Sequence, residues 1–432
     1  MPFFRLFLTL GAVSALSVAG CGGEPANVRT GDAAVTDSVL PAAPPSGPLR
    51  VDTIARGLVI PWSLAELPDG RWLVTERAGR IRMIGLDGRL SDPLTTLEVH
   101  AEDPEWNPES GLMGLVLAPD FATSGHVFTL STHQRDPMPG EPGVLARVKN
   151  RLGMAGAEMA EYLPYENRIT RFTLDSSGLH APQVLAGGMW TNHYHAGGAL
   201  AFGPDGFLYA TVGDGRRPAL AQTTAQVAKL FRFTVDGAVP SDNPDPTSPV
   251  FATGLRNTQG LAWLSDGTLV GIEHGPSGVD EGLAIRGRDE INVLVKGGNY
   301  GWPDAFGWEG AEGFTRPIWV WQRSVAPAGL LAYDGAHAPW RGSLFVGRLR
   351  GGLERLTVAN DAGRVRVTAH EVLEIPDLGR VRAVATGRDG ALYVTTSNRD
   401  VRGTARPGDD LVLRIRPAAM SNAVENGGSR VR

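Results

Sequence analysis

From Leu49 to Arg416 the chain repeats one pattern: an apolar run, a turn built on Asp and often Gly, then a second apolar run. The clearest copies are SLAELPDGRWLVT from Ser63, ALAFGPDGFLYAT from Ala199 and RAVATGRDGALYVT from Arg382. Three more lie at Gly114–Thr129, Gly260–Gly271 and Gly329–Val346, so that Asp69, Asp120, Asp205, Asp266, Asp334 and Asp389 mark six units. Asp-Gly between alternating apolar runs predicts a β-hairpin, because glycine takes the positive φ of a tight turn without strain. Further strands are predicted around Ile81–Ile84, Arg168–Leu174 and Lys229–Val235.

Four short strands plus loops need roughly 50–60 residues, the size of one propeller blade. Six units closing in a ring also leave no long exposed sheet edge. The fold predicted is all-β, a six-bladed β-propeller of four-stranded blades; a pair of β-sandwiches does not explain a recurring hairpin. The longest interval between markers holds an insertion at 133–165, whose stretch Val144–Leu163 has partly helical spacing broken by glycines. It reads equally as a short helical excursion or as a surface loop.

Outside the repeats the chain changes character. MPFFRLFLTLGAVSALSVAGC has one Arg, then an apolar stretch too short for a standard ~20-residue span, then small residues before Cys21. Val18-Ala19-Gly20-Cys21 resembles a bacterial lipobox, which makes 1–20 a signal peptide and Cys21 a lipidation site. Gly22 follows, where Asp would resemble an inner-membrane retention signal, so an exported, periplasm-facing protein on the outer membrane is expected. Residues 21–48 read as a flexible tether and 417–432 as a disordered tail.

Composition narrows the functions. The chain has 432 residues, 42% hydrophobic, with 56 glycines and 31 prolines, which suits many short strands and turns. A net charge of −5 gives no basic footprint for nucleic acid. A single cysteine excludes an internal disulfide and a Cys-rich metal centre.

Chemistry on a propeller belongs in loops around one mouth of the channel. Five candidates stand there. His195, ahead of Gly197-Gly198, suits a general base, and the His193–His195 spacing also allows a metal pair. Asp214, between two glycines, suits a partner for a base or a cation. Arg256 and Asn257 offer a guanidinium and an amide to a carboxylate or carbonyl. Gly275 and Pro276 offer turn carbonyls to Ca²⁺, with Asp289 and Glu290 nearby in sequence. Arg380 and Arg382 put two guanidiniums on one strand face. Taken singly each is an ordinary turn or edge residue; together they describe a base beside a polyanion site. No phosphate-binding glycine loop and no His-Glu-x-x-His occurs.

In order and content, PWSLAELPDGRWLVTER, SGLMGLVLAPDF, HAGGALAFGPDGFLYATVGDG, GLRNTQGLAW, EHGPSG, DEIN, NYGWP and RVRAVATGRDGALYVTT resemble the soluble aldose (glucose/sorbosone) dehydrogenases that depend on pyrroloquinoline quinone (PQQ). The resemblance covers nearly all of 49–416. It implies an oxidoreductase that takes the C1 hydroxyl of an aldose to the lactone, with PQQ and calcium at the mouth and an external electron acceptor. His195 matches the catalytic base and Asp214 its partner, while Arg382 faces the reacting centre. Arg256, Asn257, Arg380, Arg382 and, more loosely, Arg350 match cofactor contacts, and Gly275 and Pro276 match calcium donors. The chain departs from the pattern in four places. Glu109 stands for the usual Gln at a cofactor position, followed by Ser110 for Gly. Ala199 replaces a common Arg, Val279–Gly287 separates the Gly-Pro turn from the DEIN segment, and the 133–165 insertion adjoins the cleft. An extra carboxylate at Glu109 is expected to repel an anionic cofactor unless protonated or facing Ca²⁺. A lipid-anchored binding propeller without catalysis and a calcium-dependent lactonase are the competing readings.

Overall fold

The computed structural model describes residues 40, 42–101, 109–135, 163–278, 285–310, 312–361 and 363–418. Cys21, the signal segment, most of the tether, the helical stretch of the insertion and the tail beyond 418 lie outside the described residues.

The described residues form six four-stranded antiparallel sheets and a two-stranded ribbon. Each predicted hairpin supplies the two inner strands of one sheet. The innermost strands are Pro61–Glu66, Leu112–Leu117, Leu200–Phe202, Thr258–Trp263, Pro327–Ala332 and Val381–Thr386. They pack in that order and the last returns to the first, which closes the ring of a six-bladed propeller. All six line a narrow channel cavity of about 160 Å³.

Adjacent blades pack so closely at the channel that side chains there are small. At Gly329 a Cβ would lie 2.7 Å from the carbonyl oxygen of Arg382 on the next blade. Ala199 is also buried against the channel, its N–H bonded to Thr211 Oγ1, so the position carries packing in place of a cation. Between blades the faces are apolar. Val270, Ile272, Ile291, Trp319 and Trp321 of the fourth sheet cluster with Leu344, Val346 and Leu356 of the fifth. Each fully buried aliphatic or aromatic side chain of this kind is worth about 1.5–3 kcal/mol.

The ring closes with a strand the repeat pattern did not single out. Leu49–Ala55 pairs with Val412–Pro417, so the first strand of the chain completes the sixth sheet. The chain before it is also held. Ala42 bridges His370, Ala43 N–H donates to the His370 carbonyl, and Ser46 bonds the Glu371 carboxylate at 2.6 and 2.7 Å. Residues 42–47, inside the expected tether, therefore lie on the outer strand of the fifth blade. The expected insertion also narrows, since strands run to Gln134 and resume at Tyr165.

Candidate active site

Loops that enter the innermost strands and loops that leave the second strands emerge on the same face. His195, Arg256 and Arg380 come from the first kind; Asp214, Gly275, Pro276 and Arg350 come from the second. Residues far apart in sequence thus meet around one cavity of about 910 Å³, at the upper end of the roughly 300–1,000 Å³ of small-molecule sites.

At its centre stands His195, buried and in the left-handed backbone region at φ 55. That conformation is unfavourable for a residue with a Cβ and persists only where the surroundings fix it. Two contacts fix it here. The His195 N–H donates to Glu109 Oε2 at 3.1 Å, and the carbonyl lies so close to Gly213 that a Cβ there would come within 2.2 Å.

The ring is fixed as well. Nδ1 is 2.7 Å from Asp214 Oδ1, and Nε2 is 3.1 Å from Nη2 of Arg256. A guanidinium only donates, so Nε2 accepts and Nδ1 carries the proton that Asp214 receives. This tautomer leaves the lone pair of a base on the Nε2 side. Asp214 is fully buried and also accepts from the Trp302 indole at 2.8 Å and the Arg216 N–H at 2.8 Å. Burial alone would raise its carboxyl, but the His195 charge and hydrogen bond, with Arg256 nearby, hold it below the ordinary carboxylate range.

Arginines dominate the rest of the lining: nine line the cavity against three carboxylates, Glu109, Asp289 and Asp400. Arg382 lies 4.4 Å over the Trp62 ring and donates to Gln259 Oε1 at 2.9 Å. Burial pushes its guanidinium down from the usual value, with Arg380 and Arg77 adding repulsion against the pull of Glu109 and Asp400. Cations crowded in this way are relieved by an anion. Arg380 and Arg77 share Asp400, at 3.4 and 2.7 Å. Arg350 lines the rim. Asn257 does not line the cavity; it sits one layer behind. Its Oδ1 accepts from Gly197 N–H and Gln259 Nε2, while its buried Nδ2 has no partner among the described residues.

Glu109 is neither protonated nor waiting for a cation. Burial would raise it, but Arg402 at 3.3 Å, His195 and His274 bring it down to about 2. The expected repulsion is offset by Arg402, which the motifs did not mark. Tyr194, next to His195, has guanidiniums on its ring from both Arg216 (5.0 Å) and Arg402 (5.7 Å).

At the Gly275-Pro276 turn, Asp289 Oδ1 accepts the Gly275 N–H at 2.9 Å and its Oδ2 accepts from Ser324, Val325 and Ala326. This holds the turn rigid with both residues on the cavity wall. The Pro276 carbonyl accepts Gly287 N–H at 3.1 Å, which leaves it one lone pair. His193 turns away, its Nδ1 3.0 Å from Nε2 of His100. The described residues hold no cluster of three His, Cys, Asp or Glu side chains fit for a metal.

Sequence reasoning missed Trp302, Gln259, Arg402 and Tyr194. The first two stood inside the quoted NYGWP and GLRNTQG motifs; Arg402 stood in a stretch with no pattern.

With this geometry in hand, comparison with known proteins is decisive. Residues 58–405 match the model of the Glucose / Sorbosone dehydrogenase family. The chain belongs to that family. It is thereby an oxidoreductase. A glucose dehydrogenase-like putative oxidoreductase from Thermus thermophilus is 38% identical, with a TM-score of 0.70 over 85% of this chain and 100% of that one. The PQQ-bound aldose sugar dehydrogenase of Streptomyces coelicolor is 32% identical, with a TM-score of 0.68 over 87% and 99%. The aldose sugar dehydrogenase of Escherichia coli is 30% identical over 83% of this chain and 92% of its own length.

Proposed function

We propose that this family member is a PQQ- and calcium-dependent aldose dehydrogenase that oxidises the C1 hydroxyl of a sugar to the lactone. The observation that carries the reading is the Arg256–His195–Asp214 line, a base with its tautomer fixed, opening into a cavity lined by nine arginines. PQQ carries three carboxylates on a flat quinone, and the donor set fits it: Arg380 and Arg382 on the floor, Arg350 on the rim, Arg256 beside the base. The buried, unpartnered Nδ2 of Asn257 supports a polar ligand close by. When bound, the quinone supplies a two-electron centre that accepts hydride.

The protein's part is then defined. A sugar hydroxyl replaces Arg256 as the donor to His195 Nε2, and that nitrogen takes the hydroxyl proton as C1 gives up its hydride. Asp214 supports the imidazolium that forms, and Trp302 and the Arg216 N–H hold Asp214 in place. Arg382 and Arg256 balance negative charge that develops nearby. The Gly275 and Pro276 carbonyls would be two ligands of a calcium ion; a hard cation takes ~6–8 oxygens, so cofactor and water would supply the rest. Two electrons then leave to an external acceptor. We place the protein outside the inner membrane, tethered by lipid at Cys21.

Reconstitution tests this. Metal-stripped protein receives PQQ with and without Ca²⁺, and reduction of an electron-accepting dye is followed with a panel of aldoses. Turnover that needs both additions is expected; no PQQ binding overturns the reading and leaves a recognition propeller.

A further inference from the structure

The charge of the cavity exceeds what the cofactor can use. Nine guanidiniums face three carboxylates, and Asp289 spends both its oxygens on the loop beneath. A tricarboxylate neutralises only part of the excess, and a calcium ion would add to it. The residues with no part in holding the cofactor are not scattered. Arg216 and Arg402 stack on the two-sided platform of Tyr194, the residue before the base. Arg402 is also one hydrogen-bonded step from His195 through Glu109, which accepts the His195 N–H. Two cations on an aromatic ring, beside the atom that takes the C1 proton, form a second anion-binding surface within reach of the same sugar.

On the reading above, we infer that the preferred substrate is an aldose bearing its own anionic group, a carboxylate or a phosphate, held by Arg216 and Arg402 over Tyr194. The reaction is unchanged in its balance: C1 loses hydride to the cofactor and a proton to His195, and the anionic group takes no part in bond making. A guanidinium matches carboxylate and phosphate with paired hydrogen bonds, which is the chemistry that separates such a sugar from a neutral one.

The test compares PQQ- and calcium-loaded protein on glucose, glucuronate and glucose 6-phosphate by dye reduction, and on the same three by calorimetry. We expect kcat/KM for one of the anionic sugars to exceed that for glucose at least tenfold and to decline with ionic strength. The carboxylate and phosphate arms identify which group is read. Arg402→Gln and Arg216→Gln should each lower the ratio of anionic to neutral kcat/KM at least fivefold. Equal or better use of glucose, or a ratio that neither substitution moves, overturns the inference. Should no sugar be oxidised while glucuronate or glucose 6-phosphate still binds more tightly than glucose, the oxidation reading fails and the anion surface stands.

Discussion

Nη2 of Arg256 lies 3.1 Å from Nε2 of His195, so the base of this site is occupied by a cation on the side where a substrate proton would arrive. Because the guanidinium cannot accept, the contact assigns the lone pair to Nε2 and the proton to Nδ1. The nitrogen is thus both poised and guarded. A substrate hydroxyl must replace one hydrogen bond to reach it.

His195→Ala should remove that base and leave the arginine floor intact. Calorimetry should find PQQ affinity within a few-fold of the parent, while dye reduction falls about 10²–10⁴-fold, the usual contribution of a positioned acid–base group. Unchanged turnover would take His195 out of the chemistry.

Asp214→Asn probes the partner. The amide still fills the space between the Trp302 indole and the ring, but it no longer offers a charge to an imidazolium. An Asn in such a place also favours the wrong tautomer, and kcat should drop about 10²–10⁴-fold by analogy with other His–Asp pairs. Stability changes in a predictable direction. The folded carboxyl sits below its ordinary value, so its contribution is full above the unfolded value and is lost as pH falls through the folded one. Melting curves of the variant should therefore lose less stability between pH 5 and acid than those of the parent.

Glu109→Gln keeps an oxygen for the His195 N–H and releases Arg402. One negative charge leaves a cavity meant for an anion, so PQQ should bind more tightly, by about three- to tenfold if the charge is worth 0.7–1.4 kcal/mol there. Since Glu109 stays ionised down to about 2, this gain should be constant from pH 5 to pH 8. Weaker binding in calorimetry would mean that Glu109 serves as a ligand to the cation.

The legible part of this protein was local. Each Asp-Gly hairpin is set by residues a few positions apart, and all six became the inner strands of a blade. His195, Asp214 and Arg382 stood in motifs whose order survived. What escaped was contact made only by closure of the ring. Glu109 and Arg402 come from opposite ends of the chain, and their pairing cancels a repulsion that composition alone implies. The platform of Arg216, Tyr194 and Arg402 likewise exists only where the second and sixth blades bring their loops to one mouth. Ala199 looked like a lost cation but occupies the channel, where blade packing sets the size of the side chain.

The segment before the first strand gives a test of the fold itself. Ser46 accepts the Trp340 indole N–H at 3.0 Å and bonds Glu371 through both its amide and its hydroxyl. Arg355 donates to the Pro44 carbonyl, and Ala43 N–H to the His370 carbonyl. These bonds join the chain ahead of Leu49 to the fifth blade, while Leu49–Ala55 itself closes the sixth. A protein cut just before Leu49 keeps the closing strand but strips the fifth blade of these partners and leaves buried groups unpaired. At about 0.5–1.5 kcal/mol for each hydrogen bond, the loss comes to a few kcal/mol. The cut protein should fold and retain cofactor binding, with Tm lower by roughly 2–5 °C than a protein beginning at Leu40. Identical melting curves by circular dichroism would return residues 42–47 to the role of a passive tether.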